Sequence, residues 1–129
     1  MARLTKDEAR GLAERFYRIS QELGDYRFAH WSELGKDERS ELESLEWSLL
    51  NASADFTTAA LDIAMEDLAP VVKRVAGTTR RMKTAIRRAK RSKDVLAIAA
   101  AAVKLSAAIV AGSPSAIAKA LERAIKLSS

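Results

Sequence analysis

Ten cations stand between residues 73 and 93 with no acid among them: Lys73, Arg74, Arg80, Arg81, Lys83, Arg87, Arg88, Lys90, Arg91 and Lys93. Lysine offers a mobile point charge and arginine a planar fork of donors, so a run of this kind is chemistry for carboxylates or phosphates. Placed on a helix at about 100° per residue, all but Lys93 fall within an arc of about 200°. Val72, Val75, Thr79, Met82, Ile86 and Ala89 occupy the opposite side. The pattern predicts a basic amphipathic helix. An ordinary solvated face mixes both signs of charge, so the missing acids point to an anionic partner. The predicted binding set is Lys73, Arg74, Arg80, Arg81, Lys83, Arg87, Arg88, Lys90 and Arg91.

Other residue types give little for catalysis. The single histidine, His30, has no second His or Cys to share a metal, and the chain has no cysteine at all. Disulfides, thiolate zinc sites and cysteine nucleophiles are therefore excluded. Glu66 and Asp67 are adjacent in a predicted helix and point in different directions, which does not suit a general acid/base pair. The sequence contains no glycine-rich phosphate loop and no nucleophile elbow. The expectation is a protein that is not an enzyme, with no cofactor, no metal and no small-molecule substrate.

What positions the cations is predicted to be helix throughout. Only five Gly and two Pro interrupt 129 residues, and Ala, Leu, Glu, Lys and Arg lose little rotamer freedom in a helix. No segment alternates with period two, so the fold class expected is all-α: one domain, 1–129, a bundle of about five helices. Thr5 and Glu8 form a capping box for a first helix over about Thr5–Leu23, with Gly24 as its stop. Gly24–Gly35 reads as an aromatic connection whose Tyr26, Phe28, His30 and Trp31 fold back on the core. From Asp37 one stripe runs through Leu42, Leu45, Leu49, Ala52, Phe56, Ala59 and Ile63. A second runs through Leu61, Met65, Leu68, Val72, Val75, Thr79, Met82, Ile86 and Ala89. A straight helix from Asp37 to Ser92 would extend roughly 84 Å, far beyond the radius of gyration of roughly 14 Å expected for a compact domain of this length. A kink or reversal is therefore predicted near Pro70–Gly77. Asp94 is the predicted cap of an apolar helix, Val95–Ala111, stopped by Gly112. Ser113 and Pro114 then open a last helix to about Leu127.

Charge is divided between the two halves. Residues 1–67 hold 8 basic and 15 acidic side chains, and residues 68–129 hold 14 and 2. Glu41, Glu43, Glu46, Asp55, Asp62, Glu66 and Asp67 precede the basic run, and a reversal near Pro70 would lay acids against cations. Three partners follow, in this order. A protein partner or a second copy of the chain comes first, which makes the molecule a non-catalytic interaction module of the adaptor, chaperone-like or immunity-like kind. Nucleic acid comes second, with no aromatic residue inside the basic run to stack on bases. A membrane comes third: the apolar hairpin 94–128 is apolar enough to attract the reading, but Lys104 opposes insertion by about 3 kcal/mol, roughly what its large apolar neighbours favour. Buried centre is the reading preferred for Val95–Ala111. The charged N-terminal stretch has no signal-peptide core, which predicts a cytoplasmic location.

Overall fold

The computed structural model describes residues 6–59 and 65–128, with side-chain positions for all of these except 6, 9, 56–59, 65–72 and 114. Every regular element among them is helical: α1 (Lys6–Ala29), α2 (Lys36–Ala59), α3 (Met65–Arg88), α4 (Ser92–Ala111) and α5 (Pro114–Leu127). The fold is an all-α bundle of five helices, as composition and periodicity predict. Cross-links give the directions. Ser53 near the end of α2 donates to the Ala13 carbonyl near the start of α1, so these two helices are antiparallel. Arg87 at the end of α3 reaches Glu22 in the second half of α1, so α1 and α3 run parallel.

One apolar core joins all five helices. Phe16, Ile19 and Leu23 from α1, Leu42 and Leu49 from α2, and Met82 and Ile86 from α3 are fully buried. Ile117, Leu121 and Ala124 close it from α5. Helix α4 packs against each of the other four, and nine of its residues are buried, from Val95 to Ile109. It is the central helix, as expected. Its alanines, among them the fully buried Ala99 and Ala102, let neighbouring backbones come close. Of the expected stripes, Leu42, Leu49, Ala52, Val75, Thr79, Met82 and Ile86 are buried, while Leu45 and Ala89 are half-buried against the core. Phe56 through Val72 of those stripes lie outside the residues whose side chains are described, and the Thr5 cap lies outside the described residues.

Three boundaries differ from expectation. Helix α1 passes through Gly24 and continues to Ala29. A side-chain carbon at Gly24 would lie 3.0 Å from Oε1 of Glu46, so this glycine allows a close approach of α2 and does not end a helix. Tyr26 is buried as expected, but Phe28 is 69% and Trp31 46% exposed. Helix α3 continues through Pro70 and Gly77. Helices α2 and α3 are instead separate elements, the one ending at Ala59 and the other beginning at Met65. Helix α4 starts at Ser92 with Arg91 as its N-cap, and Asp94 lies in the first turn.

The remaining junctions have local causes that the sequence displays. Gly112 adopts φ 70°, and its N–H bonds to the Ala108 and Ile109 carbonyls, the left-handed cap that glycine favours. The Ser113 hydroxyl accepts from the Ala116 N–H, with Pro114 in the first turn. At the opposite end Glu38 reaches back to the Gly35 N–H at 3.1 Å and also accepts from the Ser92 hydroxyl. One carboxylate therefore ties the start of α2 to the start of α4, and these bonds hold the Glu38 carboxyl below its usual range.

Candidate anion-binding surface

Among the described residues the acidic and basic helices share no extensive packing. Helix α3 packs on α1, α5 and α4, whereas α2 packs on α1 and α4. The predicted apposition of Glu41–Asp67 with Lys73–Lys93 is therefore absent among the described residues. Magnitudes give the reason. Each fully buried Leu, Ile or Met contributes about 1.5–3 kcal/mol, while an exposed ion pair contributes about 0–1. Burying the apolar stripes of α2 and α3 on α1 and α4 outweighs matching their charges.

Cross-helix ion pairs instead run through α1. Arg27 holds Glu46 of α2 with Nε at 2.7 Å and Nη2 at 3.3 Å, and the two side chains are only 13% and 14% exposed. On the other flank Arg87 caps the buried Glu22 at 2.8 Å. Hydrogen bonding to these carboxylates raises the pKa of both guanidinium groups. Arg87, one of the predicted binding residues, is thus a structural partner of Glu22. Arg91 is occupied locally by Asp94 at 3.4 Å.

The other seven predicted residues form no ion pair among the described residues: Lys73, Arg74, Arg80, Arg81, Lys83, Arg88 and Lys90. All are exposed except the half-buried Lys83. Arg74, Arg81 and Arg88 recur every seven residues, so they drift by only about 20° per step and stand about 10.5 Å apart along α3. They wall a groove of about 920 Å³, together with Arg80. Its apolar lining is Ala85 from α3, Ala89 just beyond the end of α3, the buried Ile98 from α4, and Ile125 and Leu127 from α5. Among the described residues Asp94 is the one carboxylate on it.

Tertiary packing adds what the order of residues hides. Arg15 and Arg18 of α1 share a smaller pocket with Arg80 and Lys83. Tyr17 and Phe28, both exposed, lie with Lys83 and Arg87 along a further groove that also holds Glu14, Glu22 and Asp25. In sequence, Arg15 and Arg18 show only as polar positions beside the buried stripe Leu12–Phe16–Ile19, with nothing to say that α3 is their neighbour. Elsewhere Phe28 and Trp31 stack at 6.0 Å, with Arg27 over the former and Arg39 over the latter. His30 stacks on Tyr26 at 4.3 Å and meets Glu33 at 2.9 Å. Among the described residues no group of three His, Asp or Glu could hold a metal ion. No protein-family model, curated protein or solved structure matches the chain.

Proposed function

We propose that the protein is a non-catalytic interaction module that docks an acidic amphipathic helix along α3. The observation that carries this reading is the groove itself: arginines at a heptad interval above an apolar floor. A partner helix with carboxylates at i, i+7 and i+14 repeats the spacing of about 10.5 Å, and its apolar flank meets the half-buried Ala85, Ala89, Ile125 and Leu127. Phosphates have no use for an apolar floor, so the groove favours a protein partner over nucleic acid. Helix α2 of a second copy has related chemistry, with Glu41, Glu43 and Asp55 exposed beside Trp47, which is 59% exposed.

The test uses the whole chain and a labelled 21-residue helical peptide, with Glu at heptad positions and Leu on one flank. We expect saturable binding that weakens with salt, and its loss in Arg74→Gln/Arg81→Gln/Arg88→Gln with the melting temperature retained. Sedimentation at low and high salt asks whether a second copy supplies the helix.

Nucleic acid is the second reading, favoured by the approach of Tyr17 and Phe28 to Lys83 and Arg87. Three carboxylates in the same groove weigh against it. A labelled oligonucleotide bound through the same arginines, with affinity falling by about 0.9 log per log salt for each duplex phosphate contacted, and no binding of the peptide, would replace the first reading with the second.

A further inference from the structure

The geometry points to a second, separate site: the α1–α3 pocket of Arg15, Arg18, Arg80 and Lys83 binds a compact polyphosphate, the di- or triphosphate group of a small molecule. The pocket encloses about 310 Å³, a space about 8 Å across, which is about one Debye length at physiological salt. Four cations facing one such space repel one another. Among the described residues Glu14 is the only carboxylate lining it, and Arg18 already holds that group through Nε at 3.2 Å and Nη2 at 2.5 Å. The pocket therefore keeps a net charge of +3. A group carrying three or four negative charges matches that number, and a single carboxylate does not.

The walls are built for access. Gly11, Glu14, Arg15 and Arg18 form one stripe of α1 at i, i+3, i+4 and i+7, and Arg80 and Lys83 face it from α3. A side-chain carbon at Gly11 would meet nothing within 4 Å, so the missing side chain is what leaves this wall low. The Thr79 hydroxyl donates to the Ala76 carbonyl at 3.0 Å, which leaves Arg15, Arg80 and Lys83, beside the Glu14-bound Arg18, as the groups that hold the anion. Both helices are anchored behind the pocket by the buried Leu12, Phe16 and Met82, so α1 and α3 present the charges on fixed backbones. The groove proposed for docking lies on the α5 side of α3, and only Arg80 lines both.

Inorganic pyrophosphate, tripolyphosphate and orthophosphate are the probes, followed by calorimetry and thermal melting of the full chain. The expected result is one saturable site for pyrophosphate and tripolyphosphate, with orthophosphate at least about tenfold weaker. Arg15→Gln and Lys83→Met should each weaken pyrophosphate by about tenfold or more, whereas Lys90→Met/Lys93→Met should leave it unchanged. Gly11→Leu decides between a pocket and a diffuse field. It alters no charge, it suits a helix interior, and it fills the low wall, so binding should disappear while the melting temperature without ligand holds or rises. Equal weakening by the Lys90/Lys93 variant, or full binding by Gly11→Leu, overturns the proposal. So does an oligonucleotide that binds more tightly than tripolyphosphate and depends on both sets of cations, since that is an extended phosphate surface. Gly11→Leu leaves the docking groove intact, so failure here and failure of peptide docking are read independently.

Discussion

The same substitution should have opposite signs at two glycines. In a helix interior, alanine in place of glycine stabilises by about 0.5–1 kcal/mol through backbone entropy. Gly77, inside α3, has nothing within 4 Å of an added side-chain carbon, so Gly77→Ala should gain that full amount. Gly24 has the Glu46 Oε1 at 3.0 Å and its Cδ at 3.8 Å. That carboxylate cannot withdraw freely, because Arg27 grips it at 2.7 Å in a setting only 13–14% exposed. Loosening a hydrogen bond between charged groups costs about 1.5–3 kcal/mol. Gly24→Ala should therefore be destabilising by about 0.5–2.5 kcal/mol net, a fall of several degrees in melting temperature for a domain of this size. A double-mutant cycle isolates the cause. In a Glu46→Ala background the contact is gone, and Gly24→Ala should then stabilise by about 0.5–1 kcal/mol. Thermal and urea melts of the four proteins measure this. A rise for Gly24→Ala in the unmodified chain, equal to that for Gly77→Ala, would refute the steric argument and the role given to the Arg27–Glu46 pair.

Ile98→Asp places an unpaired carboxylate in the core face of α4, where Ile98 is 4% exposed, and should cost several kcal/mol, enough to unfold a marginally stable domain by circular dichroism. Glu38 has a folded pKa below its unfolded value, so its stabilising effect is fully present above the unfolded pKa and is lost as pH falls through the folded one. Glu38→Gln should accordingly flatten the acid limb of a stability profile below about pH 4.5, and an unchanged limb would remove Glu38 from that role. Helix α4 is long and apolar enough to cross a membrane, yet its buried side chains already serve the core. Dye release from anionic liposomes should be absent at neutral pH, and leakage that persists at high salt and grows with Lys104→Leu would reverse that expectation.

Sequence by itself determined whatever is decided within one or two turns of chain. The Gly112–Ser113–Pro114 junction was legible because its cap, its left-handed residue and its first-turn proline act on their immediate neighbours. The stripe Val75–Met82–Ile86 and the central place of α4 were legible because apolar periodicity reports which face must leave water. The basic character of α3 was equally plain. Tertiary structure alone decided what those faces meet. Gly24 stops nothing, since packing on α2 carries α1 past it to Ala29 and uses the glycine for the approach of Glu46. Acidic α2 and basic α3, neighbours in sequence, part company because α1 and α4 offer more apolar surface than either offers the other in charge. Arg87 becomes the cap of Glu22, and Arg15 and Arg18 join Arg80 and Lys83 across 65 residues of chain. Hydrophobic burial is the larger energy and has no sense of sign, so it places the helices first; the charges, which a pattern displays so clearly, are left to find their partners in the arrangement that results.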